Sequence, residues 1–263
     1  MCRFAAYLGP PVPLSSLIYE PPHSLEVQAY APKAMVSGTV NVDGTGVAWW
    51  RPGVREPLRY VSDKPPWTDA NLPSLAPRLE GSPILAVVRS ATAGMPAGVG
   101  AAHPFVCDGL AGSHNGYLGS FKEAVGWPLL KSLPGTLRAQ LDTVSDSLVL
   151  FLLVVAARMG DPGLSLPDAA VTAVENAARA CSRAGAKASL NLVVADQQQV
   201  VAVRAARGVE PNSLYALEAG ALWPEARLIA SEPLDDDPGW EEVAPGRVVT
   251  LSATGMVSEQ ISS

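Results

Sequence analysis

Met1-Cys2-Arg3-Phe4-Ala5-Ala6-Tyr7-Leu8 runs directly into Gly9-Pro10-Pro11. The apolar run over residues 4–8, stopped by glycine and proline, predicts a buried β-strand closed by a turn. Such a strand carries Cys2 to the edge of a sheet. If methionine aminopeptidase removes Met1, Cys2 presents a thiol and a free α-amino group on one residue. A thiol attacks only as its thiolate, and an α-amino group titrating near ~8 can take that proton directly or through water. The residue then combines a nucleophile with a base. Position alone does not establish this, because a cysteine near a chain start also arises by chance.

Working outward, residues 14–19 read as a short helix or loop before Glu20-Pro21-Pro22, where proline forbids regular pairing. Residues 25–30 take no assignment from their pattern. Asn41-Val42-Asp43-Gly44-Thr45-Gly46 has turn chemistry, and Val47-Ala48-Trp49-Trp50 has strand chemistry. Residues 58–61 predict another strand and 64–75 a proline-rich surface excursion. Ile84-Leu85-Ala86-Val87-Val88 has no polar face, so it is expected as a central strand buried on both sides. Arg89-Ser90-Ala91-Thr92 follows at its C-terminal end, where an arginine needs an anion or carbonyl groups around it. Leu110-Ala111-Gly112-Ser113 predicts a short strand entering a His114-Asn115-Gly116 turn, whose N–H groups could face a ligand.

Over 144–159 the apolar positions Val144, Leu148, Phe151, Leu152 and Val155 recur at helical spacing. Ser145 suits the N-cap, which places Asp146 in the first turn beside the positive end of the helix dipole. Pro167 opens a second helix, with Ala170, Val171, Val174, Ala177 and Cys181 inward and Glu175 with Arg179 as an i, i+4 pair. Beyond it, 190–195 and 200–204 flank the polar turn at 196–199 as a β-hairpin, with further strands at 228–231 and 248–251. Strands, two long helices, then strands imply layered α and β elements in an α+β fold rather than an alternating βαβ sheet.

The 263-residue chain is 48% hydrophobic and 17% charged, with net charge −6, which describes a globular protein and argues against nucleic acid as a partner. No membrane partner is expected: the apolar run at 148–157 is too short to span a bilayer, and the start lacks a secretory layout. A cytoplasmic location is the expectation. Cys2, Cys107 and Cys181 are the only cysteines, odd in number and far apart, so no disulfide framework is implied. These and three histidines show no metal-ligand spacing, and no G-x-S-x-G, Walker or G-x-G-x-x-G motif occurs.

What remains suits amide cleavage: a thiol at the start, Arg89 at a strand end, Asn115-Gly116, and Asp146 at a helix start. Each also has an ordinary reading. Arg89 could form a surface ion pair, Asn115-Gly116 a plain turn, and Asp146 a helix cap.

Taken in order, Met1-Cys2-Arg3, Asn41-Val42-Asp43-Gly44 with Trp49-Trp50, Val88-Arg89-Ser90-Ala91-Thr92, Ser113-His114-Asn115-Gly116, Asp146-Ser147 and Glu232-Pro233-Leu234-Asp235-Asp236-Asp237-Pro238-Gly239-Trp240 resemble the class II glutamine amidotransferases. The resemblance is nearer to their stand-alone ergothioneine-biosynthesis branch (EgtC type) and covers nearly the whole chain. It implies one domain over 2–263 with the four-layer αββα sandwich of N-terminal-nucleophile hydrolases. It further implies Cys2 as nucleophile with its α-amino group as base, and an oxyanion hole from the Asn115 side chain and Gly116 N–H. Arg89, helped by Thr92, would hold the γ-glutamyl α-carboxylate and Asp146 the α-ammonium, with Ser90 and Trp50 also lining the substrate. His103 and His114 are read mainly as structural.

The family expectation is hydrolysis of a γ-glutamyl amide, such as γ-glutamyl hercynylcysteine sulfoxide, through a Cys2 thioester, with no metal or organic cofactor. Alternatives are a glutaminase subunit serving a separate synthase, a hydrolase of another γ-glutamyl thiol conjugate, and a silent γ-glutamyl-binding protein. The partner is a small molecule, and homo-oligomerisation is left open. Thr45 stands where an aromatic residue is expected and Trp49-Trp50 where Gly-Trp-Tyr is usual, which leaves the leaving amine open.

Overall fold

The computed structural model describes residues 2–35, 38–90 and 98–261. In chain order its principal elements are β1 (Arg3–Leu8), α1 (Ser15–Ile18), α2 (Leu25–Tyr30), β2 (Thr45–Trp49), β3 (Leu58–Ser62), β4 (Ile84–Val88), β5 (Phe105–Cys107) and β6 (Leu110–Leu118). They continue with α3 (Asp146–Gly160), α4 (Leu166–Arg183), β7 (Ala188–Ala195), β8 (Val200–Arg204), β9 (Tyr215–Glu218), β10 (Arg227–Ala230), β11 (Arg247–Ser252) and β12 (Gly255–Gln260). One sheet has the order β9-β10-β1-β4-β2-β3, extended at β9 by Glu241–Glu242. The other runs β12-β11-β8-β7-β6-β5.

Period-two alternation turns Cys2, Phe4 and Ala6 of the first sheet toward Ala111, Val193 and Ala195 of the second, forming one core between the sheets. The opposite face of the first sheet packs Ala5 and Tyr7 against Leu14, Leu17 and Leu25 around α1 and α2. The outer face of the second lies under α3 and α4. The architecture is therefore an α+β, four-layer αββα sandwich. Among the described residues no helix is long and apolar enough to cross a membrane.

β4 is buried throughout and lies between β1 and β2, as its unbroken apolar run predicts. Ser145 caps α3 by accepting the Leu148 N–H, and the hairpin of β7 with β8 forms as expected. Three readings need completing or correcting, the first a stretch left without an assignment. Residues 25–30, without an evident pattern, form α2 behind the Ser24 cap. The apolar stripe assigned to α3 is too narrow: Val149 through Val155 are all buried, while Val144 lies outside the helix and is exposed. A helix covered by a sheet on one side and another helix on the other is apolar nearly all round.

The third correction bears on the site. His114-Asn115-Gly116 is not a turn but the middle of β6, with Asn115 opposite Asn191 and Gly116 opposite Leu190. Glycine is needed at 116 because a Cβ there would stand 2.0 Å from the Ser189 carbonyl oxygen, a close approach rather than a reversal. The reversal is Asp108-Gly109, both at positive φ, which joins β5 to β6 as a two-residue hairpin.

Candidate active site

Arg3 pairs with Val88, so the residue before β1 and the residues after β4 meet at one end of the first sheet. There the Cys2 thiol lies 3.9 Å from the Ser90 carbonyl oxygen and is almost completely buried. Asn41-Val42-Asp43-Gly44 closes over the same end: Arg89 N–H donates to Gly44 O at 2.8 Å, and Asp43 N–H donates to Arg89 O at 2.9 Å. This clamp holds the buried Arg89. Two motifs separated in sequence thus meet through their main chains. Met1 and Thr92 lie outside the described residues.

Asn115 approaches from the second sheet. It shares the inner face of β6 with Ala111, and its Nδ2 donates to Ser231 Oγ at 3.4 Å. That hydroxyl also accepts the Phe4 N–H at 3.1 Å, so one serine after β10 ties the Asn115 amide to the strand that begins behind Cys2. Gly116 N–H points toward the edge of β6. Leu118 N–H donates to Asp146 Oδ2 at 3.0 Å while Gly119 N–H donates to Lys187 O at 2.8 Å. Antiparallel alternation turns the N–H of residue 116 the same way as that of 118, away from β7. β5 covers this edge only as far as Gly112.

Asp146 sits at the start of α3, where Oδ1 accepts the Ser147 N–H at 2.8 Å. The carboxylate therefore joins the helix terminus to β6 and keeps lone pairs beyond these bonds. His114 lies on the helix side of the same strand, its Nε2 donating to Ser189 O at 2.9 Å and its Nδ1 facing Ser147 Oγ at 3.1 Å. Burial lowers its basicity, against a smaller opposing pull from Asp146. His103 bonds Ser113 Oγ at 2.8 Å, and burial, with the charge of nearby Arg89, pushes it well below the ordinary histidine range. Both rings are built into the fold. The His103 carbonyl also explains Gly46, where a Cβ would stand 2.0 Å from that oxygen.

Trp50 is not brought to Cys2. Thr45 is paired with Val88 and Trp49 with Ile84, so Trp50 lies at the opposite end of the strand, about 16 Å along it. It is buried between the sheets, with Nε1 donating to Arg55 O. Its role in lining the substrate is therefore corrected to one in the core.

Sequence reading left several residues of this region without a role. Glu232, quoted above only as part of a motif, is 1% exposed and accepts Arg3 Nε at 2.7 Å, His23 Nε2 at 2.9 Å and the N–H groups of Lys33 and Ala34 at 2.7 and 3.0 Å. Burial works to raise its carboxyl, but the His23 bond, the two N–H bonds and the Arg3 charge outweigh it and hold the group at about 2. Arg3 in turn donates to the Cys2 carbonyl at 3.0 Å. Beside Glu232 opens a cavity of about 480 Å³, lined among others by Lys33, Tyr215, Asp235, Asp236 and Trp240. Burial pushes the thiols of Cys107 and Cys181 up, which leaves neither activated.

No protein-family model matches the chain. It is 33% identical over 252 residues to the gamma-glutamyl-hercynylcysteine sulfoxide hydrolase of Mycolicibacterium smegmatis, covering 95% of this chain and 96% of that one. The chain belongs to this hydrolase family. The Mycobacterium tuberculosis member is 32% identical over 97% of the chain and 95% of its own length. Among solved structures, a glutamine aminotransferase class-II domain protein from Silicibacter pomeroyi matches with a TM-score of 0.70 at 24% identity, covering all of both chains. The glutamine phosphoribosylpyrophosphate amidotransferase of B. subtilis matches with a TM-score of 0.65 at 18% identity, over 99% of this chain and 49% of that one. These distant likenesses establish the fold, and the hydrolase relatives establish the family.

Proposed function

We propose that this chain is a single-domain hydrolase that releases glutamate from a γ-glutamyl thiol conjugate, with γ-glutamyl hercynylcysteine sulfoxide as its substrate. The Cys2 thiolate attacks the δ-carbonyl carbon, and the resulting oxyanion takes hydrogen bonds from Asn115 Nδ2 and Gly116 N–H. Each such donor contributes on the order of 3 kcal/mol to the transition state. The α-ammonium of Cys2 gives its proton to the leaving amine as the C–N bond breaks, forming a thioester. Water activated by the same amino group then releases glutamate and restores the thiol. Arg89, with Thr92, takes the substrate α-carboxylate and Asp146 the α-ammonium, which selects a γ-glutamyl group and aligns its carbonyl.

The observation that carries this reading is the Ser231 link. It brings the Asn115 amide from the second sheet to the strand that carries Cys2. The cavity beside Glu232 supports a cationic leaving half: it is lined by Tyr215 and Trp240, aromatic rings of the kind that attract quaternary ammonium groups, and Asp235 and Asp236 add negative charge.

Cys2→Ala, or a tag left ahead of Cys2, should abolish glutamate release. Full turnover with a blocked N-terminus would sink the mechanism. Faster release of glutamate from glutamine than from the sulfoxide conjugate would favour a glutaminase instead.

A further inference from the structure

An oxyanion hole built on a side-chain amide has a weakness that a main-chain N–H lacks. Asn115 presents its donor to the cleft in one orientation and an acceptor in the other, and the two amide ends have nearly the same shape. Ser231 Oγ does not choose between them, because a hydroxyl both donates and accepts. Something else must fix the amide.

We propose that Asn212 is the positioning residue that holds the Asn115 amide with its donor toward the reacting carbonyl. Asn212 comes from the loop between β8 and β9 and is fully enclosed. Its Nδ2 donates to the Asn115 main-chain oxygen at 2.9 Å and to Asn115 Oδ1 at 3.1 Å. A main-chain carbonyl can only accept, so the end of Asn212 that faces it must be the NH₂. That same NH₂ faces the Asn115 side chain, so the end of Asn115 beside it must be the oxygen. Asn115 Nδ2 is thereby turned the other way, toward Ser231 and the Cys2 strand.

Asn212 is itself fixed. Its carbonyl accepts Asn191 Nδ2 at 2.8 Å and Arg204 Nε at 2.9 Å, and Arg204 is anchored by the Val243 carbonyl and Glu242 Oε1. The direction of every donor therefore runs inward, from Arg204 and Asn191 to the Asn212 backbone and from the Asn212 side chain to Asn115.

This inference rests on the oxyanion role proposed for Asn115, and the test separates the two. Asn212→Asp replaces the fixed donor with a group that only accepts, which drives the Asn115 amide to turn over. Glutamate release by this variant should show kcat reduced about 100-fold or more, the scale of losing one oxyanion donor, with KM within about threefold of the parent. In an Asn115→Ala background the same substitution should add almost nothing, because it acts through the amide already removed. Asn212→Ala, which removes the donor without adding charge, should lower kcat about 10-fold and keeps the test open if the aspartate variant does not fold.

An Asn212→Ala or Asn212→Asp enzyme with parental kcat would overturn the inference while leaving Asn115 in place. Losses that multiply in the double variants would also overturn it, since they would mark a general packing role. Parental kcat for Asn115→Ala alone would overturn the oxyanion reading itself.

Discussion

Cys2 and Arg3, and likewise Ser231 and Glu232, are adjacent in the chain, yet each pair divides between two faces of one sheet. Cys2 and Ser231 turn inward, where the polar groups that meet them from the second sheet are neutral amides: Asn115, held by Asn212, with Asn191 behind it. Arg3 and Glu232 turn outward into a buried ionic cluster with His23 and the Lys33 and Ala34 N–H groups. The two clusters solve different problems. The inner one must present a donor in one direction at any working pH, which neutral amides do without titrating. The outer one must anchor the segment that leads into β1, where Arg3 bonds both Glu232 and the Cys2 carbonyl, and charge-assisted bonds are the stronger anchors.

The comparison predicts opposite behaviour under mutation and acid. Glu232→Gln leaves Arg3 buried without its counter-charge, which should cost about 3–5 kcal/mol of stability. Thermal or denaturant unfolding at neutral pH measures this. The carboxyl is held at about 2 in the folded protein, below its unfolded value near ~4.3. Its stabilisation is therefore complete above that unfolded value and lost as pH falls toward 2. Parent and variant unfolding curves should converge over that window. The stability lost on Asn115→Ala should not change there, because no group of the inner network titrates in it. Converging curves for Asn115→Ala would break the distinction.

How much of this was legible in the sequence follows from where each partner lies. β1, β4 and the α3 cap are local patterns, and all three form where periodicity and cap chemistry put them. Arg89 was visible because it follows an all-apolar strand. Asn115-Gly116 was seen but misplaced: glycine after asparagine reads as a turn, whereas its cause here is the Ser189 carbonyl of a strand more than seventy positions away. Asn212 was invisible for a related reason. It sits in a loop without pattern, and its function lies in contact with Asn115 across the fold. Glu232 gave a faint signal, a carboxylate directly after an apolar strand, but its meaning needs Arg3 from the other end of the chain.

The outer face also carries the cavity, so a change there should alter selectivity without touching the inner network. Trp240 is fixed by its Nε1 donating to Asp235 Oδ1 at 2.7 Å. Trp240→Ala removes an aromatic face worth about 0.5–2 kcal/mol to a bound cation. Relative kcat/KM should fall roughly 2- to 30-fold for a conjugate with a quaternary ammonium in the leaving half, by conversion of that range. For γ-glutamyl amides with uncharged leaving groups it should hold. Equal losses on both would place the leaving half elsewhere.

The smallest effect is expected where the two kinds of chemistry meet. Arg204 is buried and belongs to the inner network, but its carboxylate partner Glu242 is 55% exposed at the side chain. Exposed partners contribute about 0–1 kcal/mol, and Arg204 keeps its bonds to the Val243 and Asn212 carbonyls when Glu242 is removed. Glu242→Ala should therefore lower stability by less than about 1 kcal/mol, with kcat unchanged. Raising the salt concentration should shrink even that difference, because solvent screens the pair. A kcat loss comparable to that of Asn212→Asp would mean that the charge at the rim, and not the chain of fixed donors, holds Asn115 in place.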